Sequence, residues 1–174
     1  MPVFVLQFPI QQVSEYAARY IDEDDPVLDI ARAVRDRGHY TLEEFRRVCR
    51  WKTPRSAPLV AQNNSESVET ATRVALSEAS GDDERMNALL SLRGVGWPTA
   101  SVLLHLIYPD LYPILDKRAL HALGVDEAPS RYTFEYWQSY VSEYARLLGR
   151  AGVDGRTLDQ ALWQWSKEQG APLY

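Results

Sequence analysis

Along most of the chain, apolar residues recur at the three-and-four spacing of amphipathic helices, punctuated by glycines, prolines and capping residues. Val27, Ile30, Ala31 and Val34 share one face between Asp25-Pro26, a cap followed by proline at the first helical position, and Gly38. Thr41 and Glu44 form a capping box ahead of Leu42, Phe45, Val48 and Cys49. The same pattern predicts helices over Val13 to Ile21, over Ser65 to Ser80 before Gly81, and over Asp83 to Leu92 with Met86, Leu89 and Leu90 inward. Trp97 to Tyr108 carries Ala100, Val102, Leu103, Leu104, Leu106 and Ile107 on its apolar side. Thr133 opens a helix to Leu148, stopped at Gly149. Thr157 with Gln160 reads as a second capping box, for a last helix closed by Gly170 and Pro172. Only Val3 to Phe8 looks strand-like, too little to build a sheet unaided. With no repeat, low-complexity stretch or long linker, the expectation is one all-α domain over 1–174 with at most a short N-terminal strand.

Composition supports a globular chain: 174 residues, 45% apolar and 25% charged. A domain of this size buries roughly 70% of its unfolded surface, so it needs no disulfide or structural metal. The single cysteine, Cys49, excludes an intrachain disulfide and a four-cysteine zinc or iron–sulfur site. The first ten residues lack the basic start of a signal peptide and the length of a membrane span, so a soluble, cytoplasmic protein is expected. The net charge of −5 argues against a polyanionic partner until its distribution is considered. Residues 32–55 hold Arg32, Arg35, Arg37, Arg46, Arg47, Arg50, Lys52 and Arg55 against three acidic residues. Phosphate binding follows local potential, so such a stretch suffices where it lines one face; solvated helix faces are the plainer alternative.

The chemistry-bearing stretch is Leu92-Arg93-Gly94-Val95-Gly96-Trp97-Pro98-Thr99-Ala100, between two amphipathic helices. Its glycines permit positive φ and close backbone approach, and a tight turn feeding a helix N-terminus aims backbone amides at an anion. Alone, this is also what an ordinary αα turn looks like. Downstream, Tyr112-Pro113-Ile114-Leu115-Asp116 leads into a short helix with Ala119, Leu120 and Leu123 inward, which places Asp116 at or near an N-cap.

Together, Leu92-x-Gly94-Val95-Gly96-x-x-Thr99-Ala100 and Tyr112-Pro113-Ile114-Leu115-Asp116, twenty residues from Gly96 to Asp116, resemble the helix–hairpin–helix DNA glycosylase superfamily. That superfamily includes endonuclease III, the adenine-mismatch glycosylase and the alkylbase glycosylases. The resemblance covers 92–123, and it implies a helix–hairpin–helix motif over about 84–108 within an all-α domain, acting on lesion-containing double-stranded DNA in the cytoplasm near the nucleoid. It implies a phosphate clamp from Arg93, Gly94, Val95, Gly96, Trp97 and Thr99, with a potassium or sodium ion held between turn carbonyls and the phosphate. It also makes Asp116 the carboxylate that stabilises positive charge on the sugar as the N-glycosidic bond breaks. Pro98 occupies the position where strand-nicking relatives carry lysine, so the activity implied is monofunctional. The iron–sulfur cluster of endonuclease III is excluded by the cysteine count. Ala61-Gln62 with Ser67-Val68 and Ala71-Thr72 is similar to the endonuclease III segment whose glutamine fills the gap left by an extruded base, which makes Gln62 the plug. The interval from there to the turn, about thirty residues, is shorter than in that family, so the substrate pocket is the element most in question.

Other residues have plainer readings. Tyr136, Tyr140 and Tyr144, with Trp137, Trp163 and Trp165, read as core at helical spacing. Trp51, within Arg50-Trp51-Lys52-Thr53-Pro54-Arg55, either stacks on a flipped base or anchors a helix end; Arg50, Lys52 and Arg55 are then supplementary DNA contacts. Trp97 either touches DNA or packs beneath the turn. His39, His105 and His121 lack metal-ligand spacing, and neither a P-loop nor a serine nucleophile elbow is present. Two function classes remain: a monofunctional DNA glycosylase, or a non-catalytic DNA-binding or scaffold protein that keeps the turn without a working pocket.

Overall fold

The computed structural model describes residues 3–22, 25 and 27–170, with backbone alone at Val27 and Leu28. Pro26 and Pro172, read above as helix punctuation, lie outside the described residues, as does the side chain of Val27. The protein is all-α: ten α-helices and two 3₁₀ turns, with no strand among the described residues. Where the sequence suggests one domain over 1–174, the contacts divide into two compact units, Glu23–Tyr108 and the pair of segments Met1–Asp22 with Pro109–Tyr174.

The continuous unit contains α2 (Val27–Arg37), α3 (Leu42–Lys52), α4 (Ala57–Val60), α5 (Ser65–Leu76), α6 (Asp82–Leu90) and α7 (Trp97–His105). The Thr41–Glu44 capping box forms as expected: the Glu44 amide donates to Thr41 Oγ1 and the Thr41 amide to Glu44 Oε2. Phe45, Val48 and Cys49 are buried on the inner face of α3. Every residue from Thr99 to Ile107 is buried, as expected of a helix apolar on all sides, and α7 packs against α3 and α6. Two tyrosines bind backbone carbonyls in this core, Tyr40 donating to Leu103 O at 2.8 Å and Tyr108 to Leu76 O at 2.7 Å. Helix α5 stops at Leu76 rather than Ser80, because Ser77 turns to extended backbone.

The other unit is built from both ends of the chain: α1 (Val13–Ala18), α8 (Lys117–Ala122), α9 (Phe134–Ala151) and α10 (Gly155–Glu168). Here α10 packs against α1 and α8. Trp137, Tyr140, Tyr144 and Leu147 of α9 are buried, so these three aromatic residues are core, as their spacing suggests, whereas Tyr136, Trp163 and Trp165 are half-buried. Helix α1 ends at Ala18, three residues short of the expected Ile21, and α9 runs past Gly149 to a left-handed cap at Gly152. The N-terminal stretch keeps the burial alternation of a strand, Phe4 and Phe8 in, Val3 and Val5 out. It is not one, because its amides find no strand to pair with: Val5 and Gln7 donate to the carbonyls of Leu123 and Ala122 at the end of α8. The Thr157–Gln160 box is also overturned. Asp154 caps α10, accepting from the Thr157 amide at 2.8 Å, so Thr157 lies inside the helix and its hydroxyl binds Asp154 Oδ2.

Gly155, which carries no signal in the pattern, is the most closely packed glycine of this unit. A Cβ there would overlap the Pro109 carbonyl, and the Gly155 amide donates to Asp110 Oδ1.

Candidate nucleic-acid interface and the Asp116 site

The glycine turn connects α6 to α7. Gly94 takes the left-handed conformation, φ +78°, so one of the two glycines meets the conformational expectation. Gly96 does not: with φ −104° and ψ 179° it is extended, and it caps α7 without any side-chain hydrogen bond. Close approach also separates them. A Cβ on Gly94 would lie 2.8 Å from both Cγ2 and N of Val60, whereas one on Gly96 would meet nothing nearer than Pro98 Cδ at 3.9 Å.

Segment 53–63 runs beside this turn and pins it at three places. Thr53 Oγ1 meets Thr99 Oγ1 at 3.0 Å. Gly94 rests on α4 at Leu59 and Val60, against the Val60 backbone nitrogen and the side chains of both. The Asn63 side chain pairs with both backbone groups of Arg93, Nδ2 donating to its carbonyl at 2.9 Å and Oδ1 accepting from its amide at 3.0 Å. Within the turn, the Val95 amide donates to Leu92 O at 3.2 Å, and the Ala100 amide to Gly96 O at 2.9 Å. The amides of Gly94 and Gly96 have no acceptor among the described residues. Two donors without an internal acceptor on a braced turn are suited to an anion.

The sequence-predicted contacts divide accordingly. Gln62, Arg55 and Arg93 are exposed on the two segments that meet here and Arg50 is exposed near the end of α3, while Trp51 and Lys52 at that end and Trp97 are half-buried. The side chains of Arg50, Arg55 and Arg93 have no hydrogen-bond or ion-pair partner among the described residues. Val95 and Thr99 turn their side chains into the protein, so neither presents a side chain to a ligand. Several residues of the basic block are already engaged in the fold. Arg37 pairs with Glu44 and Arg47 with Asp29, each at 2.8 Å, while Arg35 and Arg46 bind the carbonyls of Ile107 and Ala61. The cationic surface is therefore smaller than the composition suggests and concentrates at the C-terminal end of α3 and beyond.

Asp116 lies in the other unit. Residues 112–115 are buried and held by α9: Tyr112 stacks on Trp137 with ring centroids 5.7 Å apart, and Tyr140 donates to Ile114 O at 2.9 Å. The chain then enters α8 at Asp116, whose Oδ1 accepts the Ala119 amide at 2.8 Å, so the expected N-cap is present. The carboxylate is half-buried. Burial pushes the Tyr132 hydroxyl up to about 12, and the charges of Tyr136 and Asp116 add to the shift. Burial lowers Arg118, and the negative charge of Asp116 offsets part of that. Tyr132 and Arg118 are thus electrostatic neighbours of the carboxylate that residue spacing alone did not single out.

This unit also has a groove of about 760 Å³ lined by Lys117, Arg118, His121, Trp165, Ser166 and the 125–128 loop, among others; Asp116 is not on its wall. His121 Nδ1 lies 3.0 Å from Ser166 Oγ, and its ring sits 5.2 Å from Trp165. No cluster of three or more His, Cys, Asp or Glu side chains suited to a metal ion occurs among the described residues, and no helix there is long and apolar enough to cross a membrane. Comparison with protein-family models, with curated proteins and with solved structures finds no match to this chain.

Proposed function

We propose that the chain is a compact, monofunctional base-excision DNA glycosylase of the helix–hairpin–helix kind, with the 93–99 turn as phosphate clamp and Asp116 as catalytic carboxylate. The observation that carries this is the pair of unpartnered amides at Gly94 and Gly96, on a turn that contains Arg93 and is pinned at three points by segment 53–63, which carries Arg55. Backbone phosphate contacts supply affinity and register, and they offset the few kcal/mol needed to unstack a base. As the glycosidic bond lengthens, positive charge grows on the sugar; Asp116, oriented by the Ala119 amide, stabilises it and positions the attacking water. Pro98 offers no amine, and Lys117, next to Asp116 on α8, projects from a different part of the helix surface, so strand nicking through a Schiff base is not part of the proposal. The carbonyls of Gly94 and Val95 have no donor among the described residues and would serve as ligands for a potassium or sodium ion beside the phosphate. Such an ion would add positive charge at the clamp.

A second reading has its own support. Asp116 serves as a helix cap and is not on the wall of the groove in its unit, which fits a protein that binds DNA without cutting it, as a scaffold or binding module. The test is a panel of duplexes carrying uracil, alkylated, oxidised or mismatched bases, scored for free base. Release from any of them supports the enzyme; binding without product across the panel leaves the scaffold.

A further inference from the structure

Asn63 carries no chemistry in any motif, yet its side chain is 93% buried and makes three backbone hydrogen bonds, to Val60 O, Arg93 O and Arg93 N. Its amide acts as a surrogate peptide group. It takes the donor and the acceptor of Arg93 together, as a neighbouring strand would, and ties that residue to the end of α4. The consequence lies one residue further on. With Arg93 locked, Gly94 must turn left-handed against Val60, and the next two amides without an internal acceptor are those of Gly94 and Gly96.

We infer that Asn63 is the positioning residue of an anion clamp: it decides which amides of the turn face a phosphodiester while touching no ligand itself. For its natural ligand the inference rests on the DNA-binding reading above, but the device itself is open to test with inorganic phosphate. Removing a buried amide that makes three bonds releases the turn as well as costing stability, and free rotation about Arg93 scatters the two donors.

Two readouts decide it. In the first, ¹H–¹⁵N spectra of the full chain are recorded during a titration with inorganic phosphate. Wild type should shift the Gly94 and Gly96 amides selectively, and Asn63→Ala should lose those shifts while core amides such as Val48 stay in place. In the second, anisotropy of a labelled duplex is followed against salt. Asn63→Ala should bind at least tenfold more weakly, with a log–log salt slope flatter by about 0.9, the loss of roughly one phosphate contact. A variant that keeps the phosphate shifts, or binds DNA with unchanged affinity and slope, overturns the inference. Absence of phosphate shifts in wild type overturns it too. DNA binding absent in wild type sinks the DNA reading, and the phosphate titration then decides Asn63 by itself. Should Asn63→Ala fail to fold, hydrogen exchange in wild type still tests the device: Arg93 should be protected and Gly94 and Gly96 should not, and the reverse order overturns it.

Discussion

Two glycines separated by one residue should respond to the same substitution differently, one chiefly in stability and the other chiefly in binding. At Gly94, alanine must take φ +78°, which costs about 1–2 kcal/mol for a residue with a Cβ. Its methyl would also lie 2.8 Å from Val60 N, a backbone atom that cannot rotate away, so the turn must lift from α4 at a further cost of about 1–3 kcal/mol. Gly94→Ala should therefore destabilise the continuous unit by roughly 2–5 kcal/mol, the overpacking and backbone terms together. At Gly96 the backbone is already extended and the nearest atom is 3.9 Å away. Gly96→Ala loses only the preference of a helix cap for glycine over alanine, about 0.5–1 kcal/mol. The same methyl stands beside an amide proposed to hold phosphate, so DNA affinity should fall while the fold survives. Urea unfolding followed by circular dichroism measures the first difference, read from midpoints at unchanged slope, and duplex anisotropy the second. Equal stability of the two variants, or a Gly96→Ala protein that binds DNA as wild type does, would refute the reasoning.

Further outcomes follow from other parts of the fold. Gly155→Ala would overlap the Pro109 carbonyl and should abolish a stable native state of the unit built from both chain ends, seen as loss of near-ultraviolet tryptophan signal. The Arg19 guanidinium, bound to Glu168 at 2.8 Å, holds that carboxylate down to about 2 from the usual 4.5. This pair therefore stabilises above about pH 4.5 and its contribution disappears as the pH falls toward 2; an NMR titration of Glu168 should show the low midpoint, and Arg19→Gln should return it toward 4.5. Burial pushes the Cys49 thiol up to about 12, so in the folded protein it should react with a thiol reagent at least ~1,000-fold more slowly than in urea. Rapid labelling of native protein would show that α3 opens readily.

What could be read from the sequence was what depends on near neighbours. The Thr41–Glu44 box and the Asp116 cap are each settled within four residues, and both are present. Where two local solutions compete, pattern alone misleads. Asp154 and Thr157 are both good caps three residues apart, and the structure takes Asp154 because helix start at Gly155 lets its amide reach Asp110, 45 residues away. The strand-like N-terminus fails for a related reason: alternation was visible, but the absence of a partner strand was not. At the turn, both glycines were legible as a motif, but the left-handed φ and the contact with Val60 that distinguish Gly94 from Gly96 were not. Asn63 and Tyr132 were invisible because their significance comes from Arg93, thirty residues on, and from the charge of Asp116.

Asp116→Asn tests the catalytic proposal most directly. Asparagine caps helices as well as aspartate and can accept the same Ala119 amide, so the variant should fold with stability within about 0.5 kcal/mol of wild type. Single-turnover base release from whichever lesion duplex wild type cleaves, with protein saturating, should then slow by at least ~100-fold, about 2.7 kcal/mol in the barrier. DNA affinity should be equal or higher. Base release by the asparagine protein at the wild-type rate would contradict the assignment of Asp116 as the catalytic carboxylate.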